Sequence, residues 1–403
     1  MSGTRTLTKP EKNQLANSSN NVNNTSNQRT VKTMNKTTAL VWHERLMWHD
    51  TGRLFGPEGQ HHWFEPYPHL ETVEGKRRIK NLLDASALSD SLELLRPQPV
   101  SREQVLSVHT ERHWSHIKSL SEQSRGGEGT SNSTTTPVPP GGLEIFELAA
   151  GAAIAAVDFT MQSAGPAYAL SRPPGHHAES DRALGFCYFN NAAIAARHAQ
   201  TKHGVERVAF VDFDVHHGNG AEEIFSNDPS ILTISIHQDR HFPVDRGAVV
   251  QTSDGVKNNL NIPLPPASGT AVYQAAFNRI VLPALEHFKP QLIIVPCGFD
   301  ASGHDPLGRM LLNSEDYRWM TAQLMDAAKR HSDDHIAFTH EGGYAPHLVP
   351  FLAHAVFEQL TGVESEVKDP FLKALTSPWA SEILPHQEAM LKDAENSLQL
   401  LDT

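Results

Sequence analysis

From Ala39 onward the chain alternates short apolar runs with longer stretches in which apolar residues recur every three or four positions. The short runs have strand length: Thr38 to Trp42, Ala167 to Ser171, Val208 to Val215, Ile231 to Ile236, Gln291 to Cys297 and His335 to His340. The periodic stretches predict helices over 71–83, 143–162, 190–202, 272–288 and 314–330. Strands that alternate with helices form a parallel sheet covered by helices on both faces, an α/β fold. Ligands in such folds bind beyond the carboxyl ends of the strands. The polar segments 172–177, 212–220, 298–308 and 341–344 each follow one of the apolar runs, so four loops are expected to converge on one rim.

Two stretches break the pattern. Residues 1–36 are rich in Asn, Ser and Thr and nearly devoid of large apolar side chains, so burial cannot offset the entropy of ordering them and a disordered tail is expected. Residues 121–142 are dominated by Ser, Thr, Gly and Pro and read as a surface loop. One large domain is expected over 37–403, with 363–403 as a helical extension at its C-terminal end. The longest small-apolar stretch, Leu148 to Val157, is too short to span a bilayer, so no membrane partner is expected.

Charge and cysteine narrow the function. The formal charge is −12; the tail holds six basic residues and one acid, which leaves 28 basic and 45 acidic residues over the remainder, or −17. That balance argues against nucleic acid and suits a cationic substrate such as a lysine-rich peptide or a polyamine. The two cysteines, Cys187 and Cys297, form no CxxC pair, which excludes a disulfide framework and a thiolate zinc site and points to a reducing, cytoplasmic setting.

The chemistry concentrates at Asp212-Phe-Asp214-Val-His216-His217-Gly-Asn219-Gly220. With strand periodicity, Asp212, Asp214 and His216 project to one side, where one cation could meet all three. Carboxylate and imidazole two residues apart suit zinc, which in a catalytic site keeps an open position. Isolated histidines such as His198, His203 and His354 are expected to be structural. The early group His43, His49, His61, His62 and His69 fits no ligand spacing and is expected to form a rim or a homo-oligomer contact.

Taken together, Arg172-Pro-Pro-Gly-His176-His177-Ala178, Gly185-Phe-Cys-Tyr-Phe-Asn-Asn191, the 212–220 segment, Gly298-Phe-Asp-Ala301, Asp305-Pro-Leu-Gly308 and Glu341-Gly-Gly-Tyr344 resemble the histone deacetylase superfamily over about 39–362. The resemblance is closest to its class II branch and to the bacterial histone deacetylase-like amidohydrolases. It implies an arginase-like fold with about eight parallel strands, one zinc ion and hydrolysis of an N-acyl amide. By resemblance the zinc ligands are Asp214, His216 and Asp305; Asp300, although it sits in a conspicuous motif, is expected to be structural, tying loops near the metal. His177 is the general base, His176 a nearby source of charge or a proton, and Tyr344 the oxyanion donor. Asp212 pairs with His176 and Asn219 with His177; Phe186 and Phe242, with Gly185, wall the substrate channel. Leu312 stands where polyamine-selective relatives carry a glutamate, although Glu122 or Glu128 in the 121–142 loop could supply a carboxylate instead. A potassium ion is implied beneath the zinc, at Asp212, Asp214, His216, Ser235 and Ile236. The substrates implied are acylated lysine peptides or acylated polyamines; a binuclear manganese ureohydrolase and a catalytically silent acyl-lysine binder are the rival readings.

Overall fold

In the computed structural model, residues 37–52, 67–123, 135–163, 165–249 and 258–402 are described, together with Gly3, Trp63 and Glu65. The expected disordered tail, His61, His62 and Glu128 lie outside the described residues. Lys36–Thr403 forms one compact unit.

Eight parallel strands make a single sheet: β1 Thr38–Val41, β2 Leu92–Leu95, β3 Ala167–Ala169, β4 Val208–Asp212, β5 Ile231–Gln238, β6 Asn259–Leu264, β7 Leu292–Cys297 and β8 Ile336–His340, in the order β2-β1-β3-β8-β7-β4-β5-β6. Six of these were expected; β2 and β6 are edge strands whose sequences, Leu-Glu-Leu-Leu and Asn-Leu-Asn-Ile-Pro-Leu, carry polar residues that blur the apolar run. Alternation along β4 shows why the central strands read as unbroken apolar runs. Val208 and Phe210 enter the core on one face of the sheet, Ala209 and Val211 the core on the other.

The helices that position the site are α1 Glu74–Ala85, α2 Glu111–Gln123, α3 Gly142–Ser163, α4 Asn191–His203, α5 Asn219–Ile224, α6 Thr270–Ala276 running through a π-helical turn at Phe277–Val281 into Leu282–Phe288, α7 Ser314–His331, α8 Val349–Thr361 and α9 Pro385–Asn396. Their ends follow from local chemistry. Asn190 accepts a hydrogen bond from Ala193 N at 3.0 Å and so caps α4, which ends at Gly204 in the left-handed region. Asn313 and Asp316 form a reciprocal capping box at the start of α7.

The expected 121–142 loop is corrected at both ends. Ser121–Gln123 complete α2, and Thr136–Val138 are buried, with Tyr188 donating to the Pro137 carbonyl. Among the described residues no helix is long and apolar enough to cross a membrane.

Candidate active site

The β4 strand ends at Asp212, so the chain bends there and strand alternation stops. Asp212 therefore turns away from Asp214 and His216. Its Oδ1 accepts from Asp214 N at 3.0 Å and its Oδ2 lies 3.0 Å from His176 Nδ1. The expectation that one cation meets Asp212, Asp214 and His216 is thereby corrected.

Among the described residues three groups of side chains lie close enough to share an ion; the one at the adjacent ends of β4 and β7 is Asp214, His216 and Asp300, all buried, with ligand atoms within 4.8 Å of one another. His216 Nδ1 lies 3.0 Å from Asp214 Oδ1 and 3.1 Å from Asp300 Oδ2. Asp305, the expected third ligand, is corrected to Asp300. Both oxygens of Asp305 serve backbone: Oδ1 accepts from Leu307 N at 2.8 Å and Oδ2 from Tyr344 N at 2.6 Å. Asp300 occupies the loop just beyond β7 as Asp214 occupies the loop just beyond β4, the two strands being neighbours in the sheet. Adjacent strand ends, rather than the more conspicuous Asp-Pro-Leu-Gly motif, were the signal that picks out the ligand.

Three observations test whether this site fits a metal ion. Asp300 Oδ2 is buried and accepts no hydrogen bond, its contact being the His216 nitrogen. Without a cation, burial and the charge of Asp214 push Asp300 up to about 6. And the space is kept clear by glycine: a Cβ on Gly342 would sit 2.1 Å from Asp300 Oδ2 and 2.7 Å from Asp214 Oδ2. Two carboxylates and one imidazole, deprived of solvent and left with an unsatisfied oxygen, are the donor set of a divalent ion of the zinc type.

The tandem histidines sit beside this group. His176 and His177 have ring centroids 4.0 Å apart. His177 Nδ1 lies 2.7 Å from Asn219 Oδ1, and the Asn219 amide is oriented because its Nδ2 donates to His177 O and to Glu179 Oε1. That bond places the proton on Nδ1 and leaves Nε2 as the nitrogen with the lone pair. The two rings are biased oppositely by the protein groups around them. Burial opposes charging His176, but Asp214 and Asp212 outweigh it and raise it to about 10; burial, then the neighbouring His176 and His216, hold His177 well below the usual histidine range. Glu341 fixes the loop that carries them: its Oε2 accepts from Gly175 N at 2.7 Å and from His176 N at 3.1 Å, and Asn191 Nδ2 donates to Pro173 O.

A cavity of about 280 Å³ opens onto these groups, lined by Thr135, His177, Gly185, Phe186, His216, His241, Phe242, Leu307 and Tyr344. His177 and His216 form its buried floor, while Thr135, His241, Phe242, Leu307 and Tyr344 are half-buried above it. Gly185 is required: at φ +54° its absent Cβ would lie 2.3 Å from the His177 ring and 2.8 Å from Phe242. Phe186 and Phe242 stand in the wall as expected residues of that cavity, and Phe186 meets the Tyr344 ring at 5.6 Å.

Leu312 is corrected. It is fully buried in the hydrophobic core, where its N–H donates to Ala301 O, and it touches no cavity. Leu307, seven residues past Asp300, is the leucine in the wall. The miscount of the ligand moved the expected wall residue by five positions with it. His241 and Thr135 were also missed, since nothing in their local sequence marks them. Ser235 Oγ is engaged by Gly218 N and by His237 Nδ1, and Ile236 is a core residue, so neither side chain singles out potassium. Of the isolated histidines, His198 and His203 both contact Asp158 Oδ1, at 2.8 and 2.6 Å, and with it form a second, half-buried group whose ligand atoms lie within 4.8 Å of one another.

The sheet order, the acid and imidazole groups at adjacent strand ends and the paired histidines beside them give an α/β fold with a candidate metal site. The histone deacetylase domain model matches residues 69–360, and the chain belongs to the histone deacetylase family. It is 46% identical over 345 residues to the histone deacetylase-like amidohydrolase of Pseudomonas aeruginosa, covering 84% of this chain and 89% of that protein. It is also 31% identical over 341 residues to histone deacetylase 8 of Arabidopsis thaliana, covering 82% and 90%. The crystal structure of the HDA15 HD domain superposes with a TM-score of 0.76 at 29% identity, covering 90% of this chain and 94% of that one. The protein is accordingly a deacetylase or amidohydrolase enzyme.

Proposed function

We propose that the enzyme removes a short acyl group, acetyl foremost, from the side-chain amine of an acylated lysine in a protein or peptide, using one zinc ion held by Asp214, His216 and Asp300. The observation that carries this reading is the cavity itself. Its wall is largely aromatic and aliphatic, its floor is the histidine and ligand group, and among the described residues that line it none is a carboxylate. An apolar sleeve suits the methylenes of lysine, whereas a polyamine would bring a distant ammonium to a wall without an acid.

Zinc at the three ligands would supply Lewis-acid polarisation of the acyl carbonyl and a water of lowered pKa. The protein's own groups do the rest. His177, neutral and with its lone pair on Nε2, takes the proton of the attacking water and returns it to the leaving amine. His176, held as a cation between Asp212 and Asp214, supplies positive charge beside the reacting carbonyl. Tyr344 donates its phenolic proton to the oxygen on which charge develops. Phe186 and Phe242 orient the alkyl chain and exclude water. Cys187 and Cys297, both buried and unpaired, support a reducing compartment such as the cytoplasm.

Turnover of acetyl-lysine peptide, trifluoroacetyl-lysine, acetylputrescine and acetylspermidine, with and without a chelator, tests the reading. The lysine substrates should be hydrolysed, and chelation should stop the reaction. Hydrolysis that survives complete metal removal, or that is confined to the polyamines, would overturn it.

A further inference from the structure

Behind the cavity lies a charged cluster that the chemistry above leaves unused. Glu71, Lys76 and Arg172 are all almost fully buried. Arg172 Nε donates to Glu71 Oε1 at 3.0 Å, its NH1 donates to the carbonyls of Met47 and His49, and Lys76 Nζ donates to Glu71 Oε1 at 2.9 Å. Two cations therefore share one carboxylate. The adjacent imidazoles are held neutral and add no further positive charge: burial, then Arg172, brings His49 down to about 3, and burial, then Lys76, holds His340 well below the usual range.

One of the two cations reaches the ring of Tyr344, whose phenol also feels the acids Asp300, Asp214 and Asp305. Lys76 Nζ lies 5.9 Å from the centroid of Tyr344, within the reach of a cation–π contact. Tyr344 is otherwise held on that loop by its backbone N–H to Asp305, which fixes the main chain and leaves the phenol to its neighbours. We propose, on the reading that Tyr344 donates to the developing oxyanion, that Lys76 is a positioning residue for it: its buried ammonium sets the ring and stabilises the anionic character that the phenol acquires as it donates. Glu71 anchors that ammonium and joins it to Arg172, the residue that opens the Pro-Pro-Gly-His-His loop, so the proton-donor and proton-acceptor sides of the site share one strut. Because charge on the phenol grows only as the reaction proceeds, the contact is stronger in the transition state than in the ground state and belongs in kcat.

Lys76→Met keeps the buried methylenes and removes the charge. It should lower kcat on an acetyl-lysine peptide by roughly tenfold to thirtyfold, the worth of a desolvated cation–π contact, and leave KM within about twofold. Lys76→Arg should recover most of the loss. In a Tyr344→Phe background the same substitution should cost less than about twofold, because the phenol it acts through is gone. An equal loss in both backgrounds, or full activity in Lys76→Met, would overturn the proposal. A readout independent of turnover separates its failure from that of the functional reading. In protein labelled with 13C at the tyrosine ζ carbon, the signal absent from Tyr344→Phe should move in Lys76→Met; an unmoved signal counts against the contact even if no substrate of the panel is cleaved.

Discussion

At the scale of single residues, the site rests on which acid bears which duty. Asp214 and Asp300 each bring an oxygen to His216 Nδ1, at 3.0 and 3.1 Å, whereas the Asp305 oxygens accept from Leu307 N and Tyr344 N; backbone bonds alone do not decide, since Asp214 also accepts from His216 N and Gly342 N. Tyr344→Phe should keep its metal and lose roughly a hundredfold or more in kcat, the usual cost of one oxyanion donor; a fully active variant would remove Tyr344 from that role. Leu307→Glu places a carboxylate in the cavity wall and should raise the ratio of kcat/KM for acetylspermidine over acetyl-lysine peptide by about tenfold, a differential of about 1.4 kcal/mol. An unchanged ratio would mean that Leu307 does not meet the far end of the substrate. The tandem histidines, their partners Asp212 and Asn219 and the wall residue Phe186 were legible because each sits in a short motif, whereas Phe242 came from the family resemblance alone. Asp300 was not, since two aspartates of one loop differ only in where their backbone points them.

At the scale of elements, four strand ends deliver the chemistry and glycines let the loops close on one another. Gly342 has no room for a methyl between Asp300 and Asp214. Gly342→Ala should therefore weaken metal binding by roughly tenfold to a hundredfold, the effect usual for disturbing groups that orient ligands, with secondary structure intact by circular dichroism. Unaltered affinity would show that the loop yields without moving the ligands. The central strands and long helices were legible from periodicity because both faces of the sheet are buried. The edge strands β2 and β6 were not, and the expected end of β4 lies three residues too far on because Val215 is apolar although it lies past the strand. That small error put Asp212 on the wrong side of the metal.

At the scale of the whole molecule, the buried acids of the metal-free site couple protons to metal. Burial, then Asp214, brings Asp300 up to about 6, and His216, opposed by burial but held by Asp214 and Asp300, rises to about 10. A ligand must lose its proton to bind, so near pH 7 the ion displaces the proton of His216, and below about pH 6 that of Asp300 as well. Metal affinity should thus rise with pH between 5 and 7 and binding should release about one proton near pH 7, measured by calorimetry in two buffers of different ionisation heat. Affinity independent of pH would contradict that protonation pattern. The single α/β unit and its net negative charge were readable from composition and pattern alone, because neither depends on side-chain direction.

The most direct test is the metal content of three purified proteins, the parent chain, Asp300→Asn and Asp305→Asn, each dialysed against the same zinc buffer. The account predicts about one ion per chain for the parent and for Asp305→Asn, and less than about a tenth of that for Asp300→Asn. Full occupancy of Asp300→Asn together with loss from Asp305→Asn would contradict it.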